Sequence, residues 1–304
     1  MTACLGVILD HNSNTQKFFG GGEVNDERRG EQNDQLMHND DILGLEMSVD
    51  RTTAVTCQRG PKPTCFAWDA STGEKKCRFT LPKGSRGISC ISISECGNYM
   101  ACVDQTNDHN LFVFDLSSGS QVFKQAGDKN KIYDCAFDRK PGSTTLMTAG
   151  TKHIKFWETI GESKKNSGIH GDYTMTSHCV GCFDSEGVGY TGAQTGDVYK
   201  WVDRQCAGTY KAAKKGFVSA IRAVDGCLYA GGKCGTVTVF SLPDMTATTT
   251  VEFDSMVRAI DCMSGAMLVG VRDGSIYHCE GGARKEIMAS HHDGEVWGLD
   301  VQGS

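Results

Sequence analysis

Short apolar runs alternate with polar, glycine-bearing turns along this chain, and no stretch holds a helical period. One run recurs: a β-branched or apolar residue, any residue, a small one, an apolar one, any residue, an apolar one. It begins at Ile42, Ile88, Ile132, Cys179, Val218, Val257 and Val296. The starts are 46, 44, 47, 39, 39 and 39 residues apart. Their mean of about 42 lies inside the 40–45-residue period of WD-type propeller blades. The third position holds Gly44, Cys90, Gly181, Ala220, Ala259 and Gly298, with Asp134 as the exception. The fourth is always apolar, from Leu45 to Leu299. Successive strand residues face opposite sides. With small or apolar residues on both, this strand is expected to be buried on both faces, as the innermost strand of a blade.

Each such run leads through a turn to a second apolar run, as in Glu95-Cys96-Gly97-Asn98 before Tyr99–Val103. A third run ends in an aromatic residue, often followed by an acid. Trp68-Asp69, Phe114-Asp115 and Trp157-Glu158 show this plainly, whereas Trp201-Val202 and Phe240-Ser241 are degenerate. Tight turns such as Ser71-Thr72-Gly73-Glu74 then lead to a fourth strand. Four short strands per repeat predict an all-β, seven-bladed WD-repeat β-propeller over residues 1–304. Six blades fall at about 42–85, 86–128, 129–171, 172–213, 214–253 and 254–292. The last blade is expected to be closed by N- and C-terminal strands, residues 1–22 joining 293–304 and removing exposed sheet edges. That blade has one strand too few, so either the chain begins inside a blade or the blade is three-stranded. Residues 20–36, with Glu23, Asp26, Glu27, Arg28, Arg29, Glu31 and Asp34, read as a polar loop. Trp68, Asp69, Phe114, Asp115, Trp157, Trp201 and Trp297 are the expected structural residues of the repeat.

Composition agrees with many tight turns: 37 Gly and 5 Pro in 304 residues. Cys is abundant at 15, but the number is odd and most lie in apolar runs, as at Cys57, Cys102, Cys135 and Cys262. They read as small buried hydrophobes in a reducing compartment. The net charge of −6 leaves no whole-surface basic footprint for nucleic acid. No apolar run is long enough to span a bilayer, and Met1–Asp10 has no basic region of a signal peptide. No nucleic-acid or membrane partner is therefore expected.

Several segments resemble the echinoderm microtubule-associated protein-like family of WD-repeat proteins. They are His38-Asn39-Asp40-Asp41 with Asp50-Arg51-Thr52, Trp68–Gly73, and Ala101–Asp104 with Asn107-Asp108-His109. Lys152–Trp157 and Gly294-Glu295-Val296-Trp297-Gly298-Leu299 complete the set, in the family's order over nearly the whole chain. The resemblance implies the first of the family's tandem propellers, with a second propeller in the full-length protein. It implies tubulin or microtubules as partners, with other cytoskeletal or axonemal proteins. The location it implies is the cytoplasm and its cytoskeleton, including the axoneme of the cilium or flagellum. His38 and His291-His292-Asp293 resemble the Gly-His region of WD repeats, where a His hydrogen-bonds within the blade.

Catalytic signals are sparse. There is no Gly-x-Ser-x-Gly elbow and no Gly-x-x-x-x-Gly-Lys-Ser/Thr loop. Gly231-Gly232-Lys233 is too short to cradle phosphate and reads as a strand-to-strand turn. Cys179-Val180-Gly181-Cys182 is the sole Cys-x-x-Cys pair; in a regular strand its thiols face opposite ways, which suits packing rather than a metal. Asp69, Asp115 and Glu158 read as anchors for backbone donors, not as a carboxylate pair over a substrate cleft. No enzyme, cofactor or metal is expected.

Basic residues recur where strand-joining loops reach one rim: Arg59, Lys62, Lys83, Arg86, Lys129, Lys131, Lys152, Lys214, Lys215, Lys233 and Arg272. Such a ring could meet an acidic partner surface and would weaken with salt. The favoured reading is a non-catalytic microtubule-associated propeller binding tubulin. The alternative is a generic WD-repeat protein–protein interaction scaffold without direct tubulin contact. Segregation of these cations onto one edge favours the first.

Overall fold

The computed structural model describes residues 4–10, 12–20, 37–38, 40–60, 63–161, 163–263 and 265–288. Lys62, Trp297, His291-His292-Asp293, the closing strand at 293–304 and all of loop 20–36 but Gly20 lie outside them. The described residues hold six four-stranded antiparallel sheets and one hairpin, and no helix.

Each sheet is a sequential meander. Blade 1 comprises Ile42–Met47, Thr53–Gln58, Thr64–Asp69 and Lys75–Thr80; blade 2 Ile88–Ile93, Tyr99–Asp104, Leu111–Asp115 and Gln121–Gln125. Blade 3 comprises Ile132–Phe137, Thr145–Gly150, His153–Glu158 and Lys164–Ser167; blade 4 His178–Phe183, Gly189–Ala193, Asp197–Val202 and Gln205–Lys211. Blade 5 comprises Val218–Val224, Cys227–Gly232, Thr236–Ser241 and Thr246–Glu252; blade 6 Val257–Met263, Ala266–Val271, Ile276–Glu280 and Ala283–Met288. The hairpin pairs Leu5–Asp10 with Thr15–Gly20. The chain divides into two compact units, one through Lys129 with blades 1 and 2, the other from Asn130 with blades 3 to 6.

The first strand is less buried than its pattern suggests in blades 1 and 4, whereas Ile88–Ile93 and Val257–Met263 are buried nearly throughout, as expected. Positions two to five of Ile42–Met47 and of His178–Phe183 are only half-buried, and Tyr133 is exposed. The second and third strands add continuously buried stretches such as Gly189–Ala193 and Leu111–Asp115. Those strands are paired on both edges, whereas the first and fourth each have one free edge. In the first unit, Val55, Phe79, Ile88, Ile93, Met100, Phe112 and Phe114 form one cluster with Cys57, Cys65 and Cys102. Burial holds the Cys57 and Cys65 thiols well above their usual range, so they are packed as protonated hydrophobes.

All six first strands carry a β-bulge after their first residue, which displaces Leu43, Ser89, Tyr133, Cys179, Ser219 and Arg258 from the ladder. A bulge re-aims the side chain it carries. Strict alternation therefore does not hold across Cys179–Cys182, contrary to the regular-strand reading. Burial raises both thiols, to about 11 for Cys179 and about 12 for Cys182.

Candidate functional site

The same edge of every blade is fastened by one backbone hydrogen bond. The residue after the second strand donates its N–H to a carbonyl just before the first. The pairs are Arg59–Asp41 at 2.8 Å, Gln105–Arg86 at 3.0 Å and Thr151–Lys131 at 2.9 Å. They continue as Gln194–Ser177 at 2.9 Å, Lys233–Phe217 at 2.9 Å and Arg272–Met256 at 2.8 Å. The turn between second and third strands is thus pinned to the connection entering the blade. Antiparallel meanders put these two connections at one end, and the other two turns at the opposite end. We call the first the pinned edge.

Every described member of the basic set lies on the pinned edge of its own blade. Arg59, Lys152, Lys233 and Arg272 sit in second-to-third turns; Lys83, Arg86, Lys129, Lys131, Lys214 and Lys215 sit in connections entering blades. All ten are exposed. Apart from Arg272, none forms an ion pair among the described residues. Lys131 places its ammonium 5.1 Å from the ring centre of Tyr133, a cation–π contact. The Tyr133 hydroxyl accepts from Thr151 at 3.1 Å.

Within the second unit the pinned edges face the same way. Ser219 donates to the Val257 carbonyl at 2.5 Å, and Arg222 pairs with Asp261 at 3.2 Å, so the first strands of blades 5 and 6 run side by side in register. Asp134, the exception to the small-residue rule, accepts from the Gly181 N–H at 2.8 Å and ties blade 3 to blade 4. Gly192 lets blade 5 approach, since a Cβ there would lie 2.5 Å from Val218.

Acids dominate the turns of the opposite edge, and many are used up in holding them. Asp69 accepts from the Ser71 hydroxyl at 2.6 Å and from the amides of Ser71 and Thr72, which keeps its carboxyl well below the ordinary range. Asp115 does the same with Ser117 and Ser118; the Ser117 hydroxyl leads in lowering its pKa, to about 2. Asp184 accepts from the amides of Glu186 and Val188 and the Tyr190 hydroxyl at 2.9 to 3.0 Å. Glu158 accepts from the Thr145 hydroxyl at 3.2 Å instead of capping a turn.

The buried tryptophans share a second feature. Trp68, Trp157 and Trp201 donate to the hydroxyls of Thr56, Thr148 and Thr191 at 2.7, 2.9 and 2.8 Å. Each Thr lies on the second strand, two residues beyond the partner of its Trp. Where the third strand carries Phe114, Phe240 or Cys279, the same place holds Cys102, Ala230 or Val269. An indole N–H buried without an acceptor is costly, and a hydroxyl opposite phenylalanine would be orphaned. The signal was present in the sequence as a Thr 9 to 12 residues before each of these Trp residues.

Two histidines extend these pairs. His38, fully buried, has Nδ1 2.9 Å from Gln58 Oε1 and Nε2 2.6 Å from Thr56 Oγ1. Gln58 Oε1 only accepts, so Nδ1 carries the hydrogen and Thr56 donates to Nε2. Burial lowers the His38 pKa to about 4. His178 Nδ1 is 2.9 Å from Thr191 Oγ1, and its Nε2 is 3.4 Å from Nε2 of His170. Burial lowers its pKa to about 3, helped by His170 and His153. In blade 2, buried Asp104 accepts from Thr106 and Asn110, and His109 meets the Asp128 carbonyl at 2.9 Å. These groups build loops and cores. Among the described residues no group of three or more His, Cys, Asp or Glu is arranged to hold a metal ion.

A family model for the first β-propeller of echinoderm microtubule-associated protein matches residues 32–279. The ciliary WD repeat-containing protein ctxp80 of Euplotoides octocarinatus is 40 % identical over 303 residues, 99 % of this chain and 42 % of that protein. The 77 kDa echinoderm microtubule-associated protein of Strongylocentrotus purpuratus is 25 % identical over 282 residues, 86 % of this chain and 40 % of that one. Echinoderm microtubule-associated protein-like 2 of Mus musculus is 26 % identical over 289 residues, 88 % and 44 %. The chain thus spans about two fifths of the length of these relatives. The crystal structure of the RRP9 WD40 repeats aligns with a TM-score of 0.67 at 14 % identity, over 81 % of this chain and 79 % of that one, a likeness of fold alone. The six four-stranded sheets and the match to the family model over residues 32–279 lead to one conclusion: the chain is an all-β WD-repeat β-propeller and belongs to the echinoderm microtubule-associated protein family.

Proposed function

We propose that this chain is a non-catalytic microtubule-associated scaffold whose propeller binds tubulin or microtubules through the cations at the pinned edges of its blades. The observation that carries this is the charge arrangement. Arg59, Lys83, Arg86, Lys129, Lys131, Lys152, Lys214, Lys215 and Lys233 are exposed and free of ion pairs among the described residues. Asp69, Asp115 and Asp184 at the opposite edges are held by their own turns. In a protein of net charge −6, these pinned edges carry nine exposed cations without ion pairs among the described residues, alongside the exposed acids Asp41, Asp108, Asp172, Asp254 and Asp273. Complementary charge raises the association rate and sets orientation. The names of the relatives, which include microtubule-associated and ciliary proteins, support the partner class.

In this reading the hairpin Leu5–Gly20 and the segment 293–304 form a seventh blade, with Trp297 in its inner strand. Lys62 extends the basic set and Arg272 joins it. A second propeller belongs to the full-length protein, which works on the cytoplasmic cytoskeleton and in the axoneme of cilia. Co-sedimentation with assembled microtubules and binding to free tubulin, each across a salt series, tests this. Binding that weakens steadily with salt supports it; no binding to either form at low salt overturns it for this chain.

A further inference from the structure

We propose that the pinned edge of the second unit binds an unstructured, glutamate-rich peptide segment, held between lysines of blade 3 and lysines of blade 5. The inference deepens the tubulin reading, on which it rests, by naming the chemistry that the edge recognises.

Blade 3 presents Lys131 and Lys152 from its two stapled loops, with exposed Tyr133 between them. Tyr133 is held in place by the Lys131 ammonium above its ring and the Thr151 hydroxyl at its own. Blade 5 presents Lys214 and Lys215 from one loop and Lys233 from the other; a Cβ at Gly216 would lie 2.8 Å from the Lys233 Cβ. None of these lysines has an ion pair among the described residues. Of the acids nearby, Asp197 pairs with Lys211, Asp254 with Arg284, and Asp273 accepts from the Ser275 amide, while exposed Asp172 lies in the connection entering blade 4. Blade 4, between the clusters, offers the uncharged turn Gln194-Thr195-Gly196.

The residue type points to the occupant. Arginine suits fixed, bidentate recognition of carboxylates, whereas lysine is a mobile point charge on a flexible stem. Five lysines on rigidly stapled turns favour a ligand that supplies charge density and adapts its own path. An extended acidic chain does so, covering about 3.3–3.6 Å per residue as it crosses from one blade to the next. A folded acidic surface would need its carboxylates placed to match.

The experiment measures fluorescence anisotropy of a labelled deca-glutamate peptide with the whole chain, alongside tubulin co-sedimentation. The variants are Lys131→Glu with Lys152→Glu, Lys214→Glu with Lys233→Glu, and the control Arg139→Glu with Lys140→Glu on the opposite edge. Thermal melting verifies that each folds; all these positions lie in turns. The expected result is salt-sensitive peptide binding, weakened about tenfold or more by either lysine pair and unchanged by the control. Absence of binding at low salt, or equal weakening by the control, overturns the inference. Tubulin binding that survives both lysine variants also overturns it while leaving the microtubule reading standing. Peptide binding without tubulin binding does the reverse.

Discussion

The Thr56 hydroxyl lies 2.7 Å from the indole nitrogen of Trp68, takes its hydrogen, and passes its own to His38 at 2.6 Å. Replacing Thr56 by Val keeps the shape and removes both bonds. It leaves a buried N–H and a buried ring nitrogen unpaired. Thr56→Val is expected to lower stability by about 1–3 kcal/mol, and Thr56→Ser by less. Urea unfolding with Trp fluorescence checks this; equal stability of Thr56→Val and the parent would contradict it.

Acid should loosen the fold before its carboxylates titrate. The folded-state pKa values of His38 and His178 lie below the ordinary 6.5, at about 4 and about 3, through burial. Their contribution is complete above pH 6.5 and declines as pH falls towards those values, because the unfolded chain takes up protons first. For His38 the loss is on the order of 3 kcal/mol. Asp69 and Asp115 act lower: their pKa values are depressed, so their contribution is present above 3.8 and is lost only below it. Unfolding measured from pH 7.5 to 4.5 should show a steep decline in the parent chain and a shallower one in His38→Gln.

Close approach between blades 5 and 6 depends on Gly231. A Cβ there would lie 2.5 Å from Val257 and 2.9 Å from Ile260. Gly231→Ala is expected to cost about 1–3 kcal/mol by overpacking. Combined with Val257→Ala the two changes should be less than additive, since each relieves the other. Additive losses in a double-mutant cycle would show that the contact is not the cause.

Arg222 and Asp261 join the same two blades at 3.2 Å, with the carboxylate almost wholly buried. Removing the cation alone takes this partner from that buried charge. Arg222→Met is expected to cost about 3 kcal/mol, and the double change with Asp261→Leu to recover much of it. If the single and double variants unfold at the same denaturant concentration, the ion pair is not what couples these strands.

Local pattern carried a large share of this fold. The recurrence from Ile42 to Val257 gave the position of every first strand, because a strand packed against neighbours demands apolar residues at fixed intervals. It overstated the burial of Ile42–Met47 and His178–Phe183, though not that of Ile88–Ile93, since apolar composition alone does not reveal what packs on each face. The Thr–Trp pairs were legible only as unequal spacings until strand register aligned them. The bulge at each first strand has no residue signature: Leu43, Tyr133, Cys179 and Arg258 have nothing in common but their place.

By itself, then, the sequence determined the repeat, the all-β class, the family and the identity of the basic residues in loops, because these rest on residue type and spacing. Only the tertiary structure decided that the described cations lie on the pinned edges of their own blades, nine of them without ion pairs among the described residues, while Asp69, Asp115 and Asp184 are absorbed by their own turns. Whether a charge is free depends on what stands within about 4 Å of it. That is set by loops that the strands between them bring together, such as those holding Lys131 and Thr151.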